Sequence, residues 1–496
     1  MRAVILAIAS LGCLSYAETP EVIEHELNNN TTPIPFYRAF GRSVSSYLAA
    51  SWETTPSACW FRPASMALFG SNGWNLTQGL ELPVGSELFS ARFQVEGFYA
   101  FFTIPDGTGK RIAIFAGDAY GIRSVPETSI PVTDGRLRQA AEAPDFTHNI
   151  APCWLVDSPS GDFVEMHRTQ NFSLTRTRTP VEKSKAIHNF FIDKVRTAYI
   201  TTISYDGTVN HRQLFSGGQT RWHRAFPAET QVKVDVDGNT FALRSTPSGV
   251  VVARYDHNGN LVATNTLPLS VGRRIEAWTF EPLGYVMTVT SRPTSTGRAA
   301  YLVRLNPALD HRIQPIDGNL DPTIGLSIAA DSAQTYVCAT TASNPKEEIV
   351  QAFDTHNFVS RWSVRRSVGE NEDSSTLLPT PYGLLTTNNR NGRGVSRKHI
   401  DHGFVGYSRR TFYSQGRTSD RIDIAWYQGV PEFRTIYITS SDPVRCRVPA
   451  TYTFSDFRSV TIDMELAPVT TRTRYRLYFH DPLTATTRSV FVIVDP

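Results

Sequence analysis

Hydrophobic positions along this chain fall in short runs, and almost none of them follow helical spacing. Between residues 59 and 410, runs rich in Val, Ile, Thr, Tyr and Phe are broken every few residues by Gly, Asn, Asp or Pro. Residues 252–267, VARYDHNGNLVATNTL, show the pattern, with two apolar segments on either side of a polar turn that contains Asp256 and Gly259. Short strands that end at turn-forming residues are typical of an all-β fold.

The order of strand, hairpin and strand recurs along the chain. It is clearest in four segments: 241–267, 285–316, 336–364 and 383–410. Their alignment places an apolar residue before a polar turn residue at intervals of 50, 48 and 47 residues, in the pairs Tyr255-Asp256, Leu305-Asn306, Phe353-Asp354 and Ile400-Asp401. Four earlier segments follow the same order more loosely: 59–76, 98–115, 153–168 and 198–215.

A repeat that contains only short strands is typical of a β-propeller, whose blades are four-stranded antiparallel sheets. The eight segments give a period of about 44 residues, within the range of known propeller repeats. We therefore predict a β-propeller of seven or eight blades over residues 51–414. Ring closure gives each blade two neighbours and removes long free edges.

Three regions depart from this repeat. Residues 18–50 include the polar, proline-containing HELNNNTTPIPF, which predicts an irregular N-terminal leader. The sequence of residues 176–196 is the one segment that indicates a helix. We expect this helix to lie between blades or to cap one end of the ring. In residues 415–496 apolar positions alternate, as from Val460 to Met464, and predict a separate β-sandwich.

The N-terminal sequence predicts export. Residues 1–17, MRAVILAIASLGCLSYA, combine one arginine, an apolar run and a Ser-x-Ala sequence before Glu18. This is the pattern of a signal peptide, and it is too short to span a membrane. Lipidation at Cys13 is an alternative, although Ser10 stands where such sites usually prefer leucine. No later segment is apolar enough for a transmembrane segment, so we expect a secreted, cell-surface or periplasmic protein.

Composition narrows the choice of partners. Hydrophobic residues make up 41% of the chain and charged residues 19%, which is typical of a folded globular protein. The net charge of +3 and the lack of a dense basic stripe argue against nucleic acid. Of the 49 basic residues 42 are arginine. Arginine binds carboxylates and sugars in a bidentate way, although a GC-rich genome explains the same bias.

Four cysteines remain after the signal peptide: Cys59, Cys153, Cys338 and Cys446. Four in a chain of this length do not form a disulfide framework. Cys338, in TYVCAT, is expected to be a buried strand thiol. Cys59 and Cys153 each precede a tryptophan, and the sequence leaves open whether they pair.

Asp-rich turns are the first candidates for chemistry, at 204–208, 234–239, 255–260 and 315–319. Asp and Asn cap turns with their side chains, and Gly adopts positive φ without strain. Calcium needs six to eight oxygen ligands, whereas each turn offers only two or three. We therefore interpret these segments as hairpin turns.

His399 and His402 flank Asp401 and form a candidate metal pair. The alignment places them at a hairpin, where further zinc ligands would have to come from elsewhere, so we interpret them as surface turn histidines. No Gly-x-Ser-x-Gly elbow or phosphate loop occurs. We predict no catalytic residue, no metal ligand and no cofactor. Glycosylation sequons occur at Asn29, Asn30, Asn75 and Asn171.

The tail resembles the Ig-like repeats of bacterial secreted and surface proteins. The residues that carry this resemblance are Ser440-Ser441-Asp442-Pro443, Val448-Pro449-Ala450, Ser459-Val460-Thr461-Ile462, Pro468-Val469 and Thr484-Ala485-Thr486. Phe454 and Asp456 depart from it, where such domains often carry Val-Pro and Gly. The repeat region resembles bacterial extracellular propellers of the quinoprotein-like and delta-60 type only in the pattern of its repeats. The resemblance implies export and a scaffold role more than chemistry. No cofactor is carried over from it, because the tryptophan docking motif of quinoprotein dehydrogenases does not recur here.

These features favour an exported, non-enzymatic binding or structural protein, with the propeller as interaction scaffold and the Ig-like domain as spacer or attachment module. Its partner would be a protein or glycan ligand at the cell surface. The alternative is a secreted carbohydrate-active or other hydrolase with its site in the propeller channel, marked by two carboxylates about 5–10 Å apart. Self-assembly into a surface layer or filament is a third hypothesis.

Overall fold

The structure is a computed structural model. It describes residues 20–27, 38–42, 46–67, 75–76, 79–94, 97–107, 109–118, 121–124, 130–131, 136–143, 151–158, 161–170, 173–193, 197–215, 217–235, 237–281, 285–330, 334–355, 358–369, 372, 375–380, 383–391, 393–400, 405–407, 412–413, 419–426, 434–454, 459–481 and 486–495. The predicted signal peptide, residues 1–17, lies outside these ranges.

The chain opens with β1 (Glu21–Leu27) and then forms antiparallel sheets in sequence order. Sheet 1 contains β2 (Arg38–Arg42), β3 (Ser46–Thr54), β4 (Cys59–Ala67), β5 (Asn75–Leu76) and β6 (Leu80–Leu82). Sheet 2 contains β7 (Glu87–Gln94), β8 (Gly97–Asp106), β9 (Gly109–Asp118), β10 (Gly121–Ser124) and β11 (Ile130–Pro131). Sheet 3 contains β12 (Arg136–Ala143), β13 (Ala151–Asp157), β14 (Phe163–Gln170) and β15 (Ser173–Pro180). Sheet 4 contains β16 (Ser184–Ile192), β17 (Ala198–Ser204), β18 (Val209–Leu214) and β19 (Thr220–Phe226).

The same plan continues through four more sheets. Sheet 5 contains β20 (Gln231–Val234), β21 (Thr240–Thr246), β22 (Gly249–Tyr255) and β23 (Leu261–Leu267). Sheet 6 contains β24 (Arg274–Phe280), β25 (Val286–Pro293), β26 (Arg298–Leu305) and β27 (His311–Pro315). Sheet 7 contains β28 (Ser327–Ala330), β29 (Gln334–Thr340), β30 (Glu347–Asp354) and β31 (Ser360–Ser367). Sheet 8 contains β32 (Thr376–Thr380), β33 (Gly383–Arg390), β34 (Arg393–Ile400) and, at its outer edge, β1.

Repeated antiparallel sheets of this kind are the arrangement of a β-propeller. Seven of the eight sequence segments contain the second and third strands of a sheet, and segment 59–76 coincides with the third and fourth. The all-β prediction is confirmed for the described residues, which contain no helix. None of them therefore belongs to a helix long and apolar enough to cross a bilayer.

Neighbouring sheets pack face to face. One shared core joins Val209 and Phe226 of sheet 4 to Val232 and Tyr255 of sheet 5, and similar clusters join sheets 1 and 2, 3 and 4, 5 and 6, 6 and 7, and 7 and 8. Every residue of β18 and β29 is buried, whereas the fourth strands β19 and β23 are largely exposed. A middle strand is covered on both faces by the adjacent sheets, so its sequence need not alternate.

The helix predicted over 176–196 is wrong, because β15 and β16 occupy this segment. The residues of β16 that are buried include Ser184, Ile187 and Phe190, which are three positions apart. Two irregularities interrupt the pairing of β16 with β17. Each β-bulge adds a residue to one strand only, so the buried positions lose their period of two and imitate a helical spacing.

The irregular leader predicted over 18–50 is also wrong, because it contains β1, β2 and part of β3. β1 pairs with β34 along its whole length, from Glu21 opposite Ile400 to Leu27 opposite Gly394. Contacts between first strands also link β2 to both β7 and β32, so sheet 1 touches sheet 2 and sheet 8. The partner of β1 lies at the far end of the repeat region, and local sequence patterns carry no signal for such a pairing.

The C-terminal part forms two further sheets. The first contains β35 (Val405–Tyr407), β37 (Ser419–Trp426), β39 (Cys446–Arg447) and β41 (Ser459–Leu466). The second contains β36 (Phe412–Tyr413), β38 (Arg434–Ser440), β40 (Thr451–Phe454), β42 (Thr473–Asp481) and β43 (Thr486–Asp495). Ile462 and Met464 of the first sheet and Leu477 and Phe479 of the second share one buried core. This is the packing of a β-sandwich.

The four cysteines of the described residues are buried free thiols. Cys59 lies in the core between sheets 1 and 2, and Cys153 lies in the core between sheets 3 and 4. A disulfide between them is therefore absent from this structure. Cys338 lies in β29 and is buried, as expected from its sequence.

Candidate ligand-binding pocket in sheet 4

The Asp-rich turns use their carboxylates internally. Asp256 Oδ1 accepts hydrogen bonds from the backbone N–H groups of Asn258 and Asn260, both at 2.9 Å, and Asp256 Oδ2 accepts one from Asn260 Nδ2 at 3.1 Å. Asp235 likewise accepts hydrogen bonds from the backbone N–H groups of Asp237 and Asn239 and from Asn239 Nδ2. The interpretation as hairpin turns is confirmed here. Among the described residues, no group of three or more His, Cys, Asp or Glu side chains could hold a metal ion.

The recurring turns also join neighbouring sheets. Backbone carbonyls in the turns of sheets 5, 6 and 7 accept hydrogen bonds from arginines of the preceding sheet, in the pairs Arg224 with Gly259 at 3.0 Å, Arg254 with Pro307 at 2.7 Å, and Arg304 with Thr355. The recurrence of the turn along the sequence therefore reflects a recurring contact between sheets.

His399 is not a surface turn residue, so that interpretation is wrong. It lies in β34 and is buried, its Nε2 is 3.2 Å from Thr386 Oγ1, and its ring stacks on Trp362 with centroids 6.1 Å apart. Burial lowers the pKa of His399 to about 3, so the imidazole is neutral. His402, the second member of the candidate pair, lies outside the described residues, as do the sequon residues Asn29, Asn30 and Asn171.

A pocket of about 780 Å³ opens at one edge of sheet 4. Two connections build it: the segment between β15 and β16, and the hairpin between β17 and β18. It is lined by Glu182, Lys183, Ser204, Tyr205, Asp206, Thr208 and Asn210. Its volume lies within the range of about 300–1,000 Å³ that is usual for small-molecule sites.

The hairpin is held by Asp206. Its Oδ1 accepts a hydrogen bond from Thr208 N at 2.9 Å, and its Oδ2 accepts one from Thr208 Oγ1 at 3.0 Å. Gly207 adopts a φ of 87°, and its N–H donates to Ser204 O at 3.0 Å. This tight turn leaves the neighbouring Tyr205 side chain at the surface, with 59% of the residue exposed.

A polar network lies behind these loops. The buried Arg212 donates from Nη2 to Glu182 Oε2. His223 Nε2 is 3.2 Å from Asn210 Oδ1 and 3.8 Å from Glu182 Oε1, and Asn210 Nδ2 donates to Ser204 Oγ at 2.8 Å. Lining residues from three segments are therefore fixed before any ligand binds.

Both carboxyl groups of the pocket are ionised at neutral pH. Burial alone raises the pKa of Glu182, but the hydrogen bond from Arg212 and further contacts outweigh it and lower the pKa. The backbone and side-chain hydrogen bonds from Thr208 lower the pKa of Asp206. Glu182 is paired with the buried Arg212, and Asp206 and Lys183 add one charge of each sign to the lining, so the charges of this region balance.

Sequence reasoning did not find this pocket. It identified residues 204–208 only as a turn, and it placed Glu182 in the helix that the structure does not contain. A signal was present in β18, because four of the six residues in VNHRQL are polar although all six are buried. Buried polar side chains require partners, and here Asn210 and Arg212 find them in the pocket.

The C-terminal sandwich contacts the repeat region away from this pocket. Arg472 binds Asp495 through two hydrogen bonds of 2.7 and 3.0 Å, and its Nη1 also binds Asp237. Asp237 lies in the turn between the first and second strands of sheet 5, whereas the pocket hairpin joins the second and third strands of sheet 4. Successive turns of an antiparallel sheet lie at opposite ends of its strands. The sandwich therefore contacts the opposite face.

No protein-family model and no curated protein sequence matches this chain. Solved structures similar to it include a eukaryotic initiation factor, with a TM-score of 0.43 and 11% identity, covering 91% of this chain and 99% of that chain. Dipeptidyl peptidase 4 from Porphyromonas gingivalis has a TM-score of 0.41 and 8% identity over 71% of this chain, which spans 64% of the length of that enzyme. The β-propeller domain of the Trilobed protease from Pyrococcus furiosus has a TM-score of 0.40 and 8% identity, with 62% of this chain and 93% of that chain covered. None of these likenesses assigns a function to this chain.

Proposed function

We propose that this chain is an exported, non-enzymatic binding protein, in which the eight sheets are the blades of a closed β-propeller that binds a ligand in the pocket of sheet 4. Contacts of β2 with both β7 and β32 support closure of the ring, and β1 supplies the outer strand of sheet 8. The signal-peptide pattern of residues 1–17 supports export.

We also propose revised limits for the domains. The propeller extends from residue 21 to 400, because β1 belongs to sheet 8. The Ig-like sandwich extends from residue 405 to 495, because β35 and β36 pair with C-terminal strands. Its contact on the face opposite the pocket suits a spacer or attachment module, which would leave the pocket accessible.

The preorganised pocket is the observation that carries the proposal. Glu182 is held by Arg212, and Asn210 is bonded to Ser204, while Tyr205 remains exposed beside them. A site whose polar groups are fixed in advance loses little conformational entropy when a ligand binds. Ligand binding at such a site does not require the blades to move.

Hydrolysis is the alternative function, and one observation favours it. Glu182 and Asp206 line the same pocket, and most glycosidase sites use a pair of carboxyl groups. However, a glycosidase needs one carboxyl group with a raised pKa as its general acid. The lowered pKa values of Glu182 and Asp206 therefore favour binding over hydrolysis.

The test is a binding screen with the full chain against glycans, peptides and cell-surface polymers, combined with an assay for released products. Lys183→Trp places a large side chain at the pocket wall and should abolish binding. Lys110→Trp in sheet 2 is the matched control, since Lys110 is also partly exposed and lies outside the pocket. Binding that survives Lys183→Trp, or turnover of a bound glycan, would contradict the proposal.

A further inference from the structure

We infer that the pocket of sheet 4 binds a neutral saccharide. This inference rests on the proposed function and adds the chemical class of the ligand. Three features of the pocket support it: an exposed aromatic ring in its wall, a balanced set of charges, and uncharged polar groups in its lining.

The aromatic ring is that of Tyr205. It is 59% exposed, although Tyr is an amphipathic residue that usually covers its ring when the neighbouring structure allows it. The Asp206 turn holds it at the pocket wall, where a ligand can cover the ring. Sugar rings present faces of C–H groups that pack on aromatic rings, whereas their edges carry hydroxyl groups. A pocket with one aromatic wall and polar remaining walls matches both parts of a sugar.

The charges disfavour a strongly ionic ligand. Glu182 is paired with Arg212, and Asp206 and Lys183 add one charge of each sign. A polyanion would meet the carboxylates of Glu182 and Asp206 with Lys183 as the single cation of the lining, and a cationic ligand would meet Lys183 while Glu182 is already paired with Arg212. A ligand of no net charge avoids both penalties, since burying an unpaired charge is costly.

Uncharged polar groups in the lining suit a ligand with hydroxyl groups. Ser204 and Thr208 bring hydroxyl groups to the pocket wall, and Asn210 brings an amide. A hydroxyl group is both donor and acceptor, so a polyol can bind these groups directly or through a water molecule that it holds.

The experiment measures binding of the full chain to neutral trisaccharides of glucose, galactose, mannose and N-acetylglucosamine, with trigalacturonate and a panel of basic and acidic peptides as comparisons. Titration calorimetry then compares three variants for any ligand that binds. Tyr205→Ala should weaken a neutral trisaccharide about ten-fold, because aromatic packing contributes on this scale. Tyr205→Phe keeps the ring and should stay within about three-fold of wild type. Tyr437→Ala, at a residue of the sandwich that is 50% exposed, should have no effect.

Each outcome decides between the two proposals. A neutral trisaccharide that is weakened by Tyr205→Ala and retained by Tyr205→Phe supports the inference. If only trigalacturonate or a peptide binds, and Lys183→Trp blocks that binding, the assignment of a neutral saccharide is overturned and the proposed binding function stands. A neutral saccharide that binds Tyr205→Ala as well as wild type overturns the assignment to this pocket wall. Failure to bind any probe counts against both proposals.

Discussion

Removal of Arg397 should destabilise the propeller far more than removal of a comparable exposed arginine. Arg397 is 1% exposed and connects β34 to three other segments. Its Nε donates to Glu24 of β1 at 2.7 Å, its Nη1 to Asn388 at 3.0 Å and its Nη2 to Glu372 at 3.0 Å. Arg397→Met keeps most of the side-chain volume and removes all three hydrogen bonds, so the buried Glu372 loses one of its cations.

The expected cost follows from burial. Breaking a buried ion pair by removing one partner costs about 3–5 kcal/mol. At about 2.1 cal/mol/K per residue over the roughly 380 residues from β1 to β34, the unfolding entropy is about 0.8 kcal/mol/K. The melting temperature of the propeller should therefore fall by about 4–6 °C if the propeller unfolds as one unit.

Arg421→Met is the matched control. Arg421 Nε lies 2.9 Å from Asp463 Oδ1 in the sandwich, but both side chains are more than 70% exposed. An exposed pair of this kind contributes about 0–1 kcal/mol. The measurement is thermal and urea unfolding of both variants, followed by tryptophan fluorescence and calorimetry. Equal losses in the two variants, or no loss in Arg397→Met, would refute the reasoning that this network anchors β1 to sheet 8.

Three further predictions concern pH, the turns and the thiols. Burial lowers the pKa of His211 to about 3, so the neutral imidazole stabilises the fold above pH 6.5 and this contribution is lost as the pH falls. The free energy of unfolding in urea should therefore fall by about 1 kcal/mol less in His211→Gln than in wild type between pH 7 and 5.5. Asp256→Ala removes three turn hydrogen bonds and should lower the free energy of unfolding by about 1 kcal/mol, whereas Asp256→Asn should lower it less. Added calcium should leave the melting temperature of wild type unchanged. Ellman's reagent should reach the thiols only after unfolding and then titrate four of them in the mature chain, whereas a Cys59–Cys153 disulfide would leave two.

Local patterns were sufficient for the repeat. Turn residues such as Asp256 and Asn306 act through hydrogen bonds within a few residues, so their spacing along the sequence reports the hairpins directly. Most middle strands are rich in apolar residues because two neighbouring sheets cover them, and this made them the most recognisable segments. The sandwich was predicted from a different pattern, because Ile462 and Met464 alternate towards a single core.

Long-range contacts were beyond local patterns. The polar sequence of β1 carries no mark of its pairing with β34, and the bulges of β16 give its buried residues a spacing that resembles a helix. The pocket likewise depends on Glu182, Asn210 and Arg212, which come from separate segments and meet only when sheet 4 forms. The sequence by itself thus determined the strands and their turns, because these depend on neighbouring residues. Only the tertiary structure decided which strand completes sheet 8 and which side chains share the pocket, because those contacts depend on distant residues brought together by folding.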